Sequence, residues 1–267
     1  MNSLIFKKNF FFKENYKQNS PLIFYVGGTR TYKYIIKHIQ NYIKKINANV
    51  IVSTWYDKDF DKDFIIKNLR PIYLDVEHES FHKTKHIFGK LSIIDKVFYH
   101  SKSTRSLTYK IYKTMQIINY LERKYKMKFE ILIRSRLDII ILSKPSLVIS
   151  KKHLYFEDFT GPWDKWRSDR YYYGHKKIMF KLINSFKKFA YYSYQKKKSV
   201  VNHNDNPVGE WFIKNCCDKY VIPSKPFYPA MMYWRKKSFP VIKDFVFPWI
   251  IKFKRIIKRK ILRLTNS

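Results

Sequence analysis

Cysteine is nearly absent from this 267-residue chain: there are two, Cys216 and Cys217, side by side. An adjacent pair offers neither a disulfide framework nor a zinc ligand set, and it points to a reducing compartment. Glycine is scarce at 6 residues, alanine is rarer still, and no apolar run approaches the roughly 20 residues of a membrane-spanning helix. The apolar stretch from Asn9 to Phe12 is too short for a signal peptide and meets Lys13 at once. A cytoplasmic protein, free or peripheral to a membrane, is the expectation. Acidic residues are also few, 20 against 55 basic ones, for a formal charge of +35. Lys, Ile, Asn, Tyr and Phe dominate as AT-rich coding would have it, so the charge implies attraction to polyanions without specifying nucleic acid. The chain has no Walker loop, zinc knuckle or recognisable RNP box, and a basic nucleic-acid-binding protein is kept only as an alternative.

What is present is a chain long enough for one large core, with 19% aromatic residues. Pro21 to Val26 reads as a strand broken by Gly27-Gly28-Thr29-Arg30. Ile35, Ile36, Ile39, Ile43 and Ile46 then recur at helical spacing, and Asn49 to Thr54 reads as a second strand. Strand, glycine turn, helix and strand make a βαβ unit. A short helix over Phe64 to Leu69, a strand over Ile72 to Val76 and a helix from Arg105 to Tyr125 follow. The spacing further predicts a strand over His153 to Glu157, an extended stretch from Asp169 to Tyr173 and a helix from Lys176 to Tyr194. Residues 1 to 20 read as an irregular lead-in, and no repeat or linker divides the chain.

The centre of this organisation is Phe129 to Ile141, FEILIRSRLDIII. Phe129 to Ile133 has the apolar run of a covered strand. Arg134, Arg136 and Asp138 then fall two apart, on one face of an extended backbone. Charge at the C-terminal end of a central strand sits where open α/β sheets bind ligands, although an Asp tied to an Arg in a structural pair gives the same pattern. Gly27 to Arg30 is either a substrate-phosphate loop or a plain tight turn. Asp169-Arg170, ahead of three tyrosines, suggests a strand end aimed into a cleft or an ordinary surface pair. Glu210 is favoured in the first turn of its helix by the macrodipole, whatever else it does. His78-Glu79-Ser80-Phe81-His82 matches the H-E-x-x-H zinc motif. It follows a strand-like run, however, with Lys83 and Thr84 where a protease helix would be apolar. A zinc metallopeptidase is the lesser alternative.

Gly27-Gly28-x-Arg30, Ser53-Thr54-Trp55, Arg134-x-Arg136-x-Asp138, and Ser168-Asp169-Arg170 with Gly174 occur in an order that resembles the bacterial surface-polysaccharide glycosyltransferases related to WavE-type lipopolysaccharide synthesis proteins. The resemblance spans about residues 20 to 235 and implies a GT-A-like, Rossmann-like α/β fold. Its mostly parallel sheet would be flanked by helices, with an aromatic-rich C-terminal subdomain. It implies a glycosyltransferase domain over 20–240 that moves a sugar from a nucleotide-sugar donor to a lipid-linked or oligosaccharide acceptor, in lipopolysaccharide or capsule synthesis. Gly28, Arg30, Trp55, Arg134, Arg136, Asp138 and Arg170 would bind substrate, and Asp169 or Glu210 would act as base. In such folds an Asp-x-Asp pair holds Mg2+ or Mn2+ under the diphosphate. Here Arg136 stands in place of the first Asp, leaving Asp138 as the one candidate ligand and metal-independent transfer as the other possibility.

The tail, residues 241–267, is basic and amphipathic. Phe253, Ile256, Ile257, Ile261 and Leu264 share one stripe, with Lys252, Lys254, Arg255, Lys258, Arg259, Lys260 and Arg263 around the rest. This is the make-up of an interfacial helix that would hold the protein on the inner face of an anionic membrane.

Overall fold

The computed structural model describes residues 9–29, 31–77, 102–141, 150–157, 167–195, 208–227 and 231–233. Arg30, the His78–His82 motif and the basic tail lie outside them. Glu210 is placed by its backbone alone.

The architecture is a mixed α/β fold: an eight-stranded sheet with helices on both faces. Its elements are β1 (Asn9–Phe11), β2 (Leu22–Gly27), α1 (Tyr32–Lys45), β3 (Asn49–Trp55), α2 (Lys62–Leu69), β4 (Tyr73–Glu77), α3 (Lys102–Tyr125), β5 (Ile131–Ser135), β6 (Ile139–Ile141), β7 (Leu154–Glu157), β8 (Tyr172–His175), α4 (Lys176–Gln195), α5 (Val208–Lys219), β9 (Ser224–Phe227) and β10 (Met231–Tyr233). The sheet order is β1-β4-β3-β2-β5-β8-β7-β9, and β6 pairs with β10 apart from it. Strands β4, β3, β2 and β5 run parallel at the centre, while β1 and β8 pair antiparallel on either side of them.

The central strands are buried from end to end because both faces are covered, which is why they read as unbroken apolar runs. On one face, Ile23, Tyr25, Val50, Val52, Leu74 and Ile133 pack with the α1 stripe of Ile35, Ile36, Ile39 and Ile43. On the other, Leu22, Phe24, Ile51 and Leu132 pack with Ile111, Met115, Ile118 and Leu121 of α3 and with α4 and α5. Two crossovers on one face and the return through α3 on the other follow from right-handed connections running in opposite directions from β2. Helix α2 starts where Asp61 accepts the Phe64 N–H at 3.0 Å, and it ends at Arg70 with φ 45°. Among the described residues no helix is long and apolar enough to cross a membrane.

Three local expectations change. Residues 9–11 are not irregular: they add to the exposed edge of β4. The run from Phe129 to Ile141 is not one extended strand, because the chain turns at Leu137 and Asp138 and β6 leaves for the second sheet. Gly174 lies inside β8 instead of ending the stretch, since any Cβ there would stand 2.7 Å from Leu154 Cδ2 on β7. The C-terminal segment, as far as it is described, packs on the main sheet. Phe212, Ile213, Cys216 and Cys217 of α5 belong to the α3 side of the core, and β9 extends the main sheet.

Candidate functional site

The strand order creates one special place. From β2 the chain moves outward to β3 and β4, then returns through α3 to β5 on the other side of β2. The strand order thus reverses between β2 and β5, a topological switch point at whose C-terminal strand ends open α/β sheets take ligands, and after β5 the chain turns to the α1 side, where β6 packs with α1. The Gly27-Gly28-Thr29 loop and the Arg134–Asp138 segment flank the switch point.

Gly27 has φ +127° with open space around its missing Cβ, so backbone conformation alone demands glycine there. The loop is then clamped to the end of β3. The Thr29 N–H donates to Asp57 Oδ2 at 3.0 Å, its hydroxyl donates to Oδ1, and the Asp59 N–H donates to the same carboxylate at 3.1 Å. The Thr54 hydroxyl adds a bond to the Gly27 carbonyl at 2.7 Å. Asp57 is thus a loop-fixing residue that the sequence displayed without a role.

At the end of β5 the three charged residues part company. Arg136 and Asp138 form a two-pronged pair across the turn, Nε to Oδ1 at 2.8 Å and Nη2 to Oδ2 at 2.5 Å. Arg134 points to the α3 face and is fully buried. Its Nε, Nη1 and Nη2 find no hydrogen-bond partner among the described residues. Burial pushes its pKa down from the usual guanidinium value, against the opposing influence of Tyr172, Asp169 and Asp138 nearby.

Strand β8 brings the second group of candidates alongside, with Tyr172 directly opposite Arg134 in the antiparallel ladder. The guanidinium carbon stands 5.8 Å from the centre of the Tyr172 ring, and the buried Tyr172 hydroxyl is also unpartnered among the described residues. Asp169 and Arg170, just before this strand, are partly exposed. Ser168 holds them in place: its hydroxyl donates to the buried Glu157 at 2.8 Å and accepts the Arg170 N–H at 3.1 Å. The structure therefore gathers Gly28, Arg134, Arg136, Asp138, Asp169 and Arg170 around the strand ends of the switch region.

Trp55 is placed differently. It is buried in the core beneath the end of β3, stacked on Tyr109 at 5.9 Å, with Lys110 Nζ 4.5 Å from its ring centre. It belongs to a buried charge network that the sequence analysis does not single out. Asp75 accepts from the Ser53 hydroxyl at 2.6 Å, from Lys110 at 2.8 Å and from Lys113 at 2.5 Å, while Glu77 pairs with the same lysines at 2.8 and 2.6 Å. Burial alone would raise the Asp75 pKa, but the two ammonium groups outweigh it and hold the carboxyl below its ordinary value.

Among the described residues no donor set for a divalent metal is assembled. Both Asp138 oxygens are engaged by Arg136, and among the described residues no group of three His, Cys, Asp or Glu side chains converges. Metal sites of this kind use several oxygen ligands.

Fold and strand order together define a doubly wound α/β sheet. No protein-family model matches the chain, and no curated protein does. Among solved structures it is similar to a glycosyltransferase involved in glycosylating the major capsid of PBCV-1, at 11% identity and TM-score 0.34 over 78% of this chain and 82% of that one. It is also similar to a nucleoside-diphosphate-sugar pyrophosphorylase from Vibrio cholerae RC9, at 8% identity and TM-score 0.45 over 79% and 94%. A third is the apo glycosyltransferase GlyE of Streptococcus pneumoniae TIGR4, at 11% and 0.38 over 78% of this chain but 45% of that one. Likenesses this distant carry no argument about what the chain does.

Proposed function

We propose that the protein is a glycosyltransferase that moves a sugar from a nucleotide-sugar donor to a surface-glycan acceptor of the lipopolysaccharide or capsule kind. One observation carries the reading: the glycine loop after β2 and the guanidinium-rich end of β5 face each other across the switch point of a parallel sheet. Guanidinium groups beside a glycine loop suit a phosphorylated ligand. In this reading Gly28, Arg30, Arg134, Arg136, Asp138 and Arg170 bind the donor. The acceptor hydroxyl attacks the anomeric carbon, its proton passes to Asp169 or Glu210, and the bond from that carbon to the phosphate oxygen breaks, releasing the nucleoside diphosphate. The basic tail would hold the enzyme at an anionic membrane, where lipid-linked acceptors lie.

Thermal unfolding of the purified full chain against a panel of nucleotide sugars tests this. A ligand at a hundredfold excess over its Kd adds about 2.7 kcal/mol, which for a chain of this size raises Tm by about 5 to 10 °C. One or a few related donors should do so, and free sugars should not. No shift across the panel would refute the reading.

A further inference from the structure

We propose that Arg134 and the Tyr172 hydroxyl form a buried anion subsite that takes the donor's diphosphate directly, without a divalent metal. Calling the anion a diphosphate rests on the glycosyltransferase reading; the subsite itself rests on the geometry.

Buried polar groups are nearly always hydrogen-bonded, and a buried charge without a partner is among the most costly features a core can hold. Among the described residues Arg134 presents all three guanidinium nitrogens unpartnered, and the hydroxyl of the residue facing it across the ladder is unpartnered too. Two adjacent orphans of donor character describe a place for one acceptor-rich ligand. A guanidinium carries five N–H donors in a planar fork that matches phosphate oxygens. The neighbouring charges do not serve instead. Asp138 is committed to Arg136 through both oxygens, and Asp169 acts on Arg134 through space without an ion pair to it.

This arrangement also accounts for the missing metal ligand. Where a carboxylate pair would hold a dication under the diphosphate, the chain has Arg136 bound to Asp138 and, two residues earlier, a second guanidinium without a hydrogen-bond partner among the described residues. The positive charge is built into the strand, so none has to be imported. Arg134 has no exposed surface, so an anion reaches it only if its partly exposed neighbours, Arg136 and Asp169 among them, move aside.

The test titrates the full chain with inorganic pyrophosphate in EDTA, comparing wild type with Arg134→Met and Tyr172→Phe by calorimetry and thermal unfolding. Wild type should bind without metal. Arg134→Met should lose affinity by about tenfold or more and yet melt no lower than wild type, because an uncompensated buried charge has been replaced by an apolar chain of similar size. Tyr172→Phe should weaken binding by a smaller factor with its melting unchanged. The proposal is overturned if pyrophosphate binds only when Mg2+ or Mn2+ is supplied, if Arg134→Met binds as wild type does, or if that variant melts lower. Failure of the enzyme reading looks different. Metal-free pyrophosphate binding through Arg134 with no response to any nucleotide sugar would uphold the subsite and refute glycosyl transfer. Metal-dependent binding of a nucleotide sugar would do the reverse.

Discussion

The buried network under the ends of β3 and β4 makes a quantitative prediction. Two lysines and two carboxylates balance there, with Asp75 and Lys110 having no exposed side-chain surface and Lys113 2%. Asp75→Asn leaves two buried ammonium groups facing Glu77 alone, and Lys113→Met leaves two carboxylates facing Lys110 alone. Each single change strands one buried charge and should cost about 3 to 5 kcal/mol, a large share of the roughly 5 to 15 kcal/mol that holds a domain folded. The double variant restores neutrality, since Lys110 keeps Glu77 at 2.8 Å. It should therefore cost about what one single does, for a coupling of about 3 kcal/mol between the two sites. Equilibrium urea unfolding followed by far-UV circular dichroism measures all four corners of the cycle. Acid adds a second reading. The folded Asp75 pKa is depressed, so its stabilisation is present above the unfolded value of about 3.9 and is lost as pH falls through the lower folded value. Asp75→Asn should flatten that acid limb. Additive singles of under about 1 kcal/mol each would mean that the network is wetter and weaker than its geometry shows.

Two further outcomes follow from the same structure. Asp138→Asn removes a two-pronged pair whose partners are 5% and 23% exposed, so it should cost about 1.5 to 3 kcal/mol and abolish sugar transfer while the chain stays folded; an unfolded variant would make the pair purely structural, and a fully active one would remove it from the site. At high pH, Tyr173 is pushed up to about 12 by burial, and Tyr25, Tyr171 and Tyr172 are also raised by it. Unfolded tyrosine loses its proton near 10, so stability falls as pH rises from about 10 to 12. Tyrosinate absorbance should then climb in a step that coincides with loss of the helical signal, and a gradual rise with the fold intact would contradict the burial.

How much of this could be read from sequence depends on what each element owes to its own residues. The βαβ start was legible because Leu22–Gly27 and Asn49–Trp55 are covered on both faces and the α1 stripe repeats at helical spacing. Strand β1 was not, because three residues carry no period and become a strand only through the free edge of β4. The turn at Leu137 and Asp138 was hidden because no Gly or Pro marks it, and an apolar run continues on the far side. Lys110 and Lys113 were not singled out, yet a signal for them was available. Asp75 and Glu77 alternate within an otherwise apolar strand, so their side chains face one way, and that face had to supply cations.

The strand registers bring the two kinds of buried charge into one comparison. Phe24 pairs with Arg134 on β5 and Ile51 on β3, while Val26 pairs with Ser53, which pairs with Asp75 on β4. Arg134 and Asp75 therefore face the same side of the sheet, one pleat apart in level and three strands apart, roughly 14 Å at ordinary strand spacing. On that face the chain has neutralised Asp75 completely, with two lysines and a serine within reach. At the end of β5 Asp138 is instead held by Arg136, and among the described residues Arg134 is left with an aromatic ring and an unpaired hydroxyl. A fold that can pair buried charge on one strand has no packing reason to leave it unpaired on a nearby one. Strained or uncompensated groups of this kind persist where a ligand completes them. The charge without a partner among the described residues lies beside the switch point and the paired charge lies away from it, and that difference in position is what the proposed anion subsite at Arg134 explains.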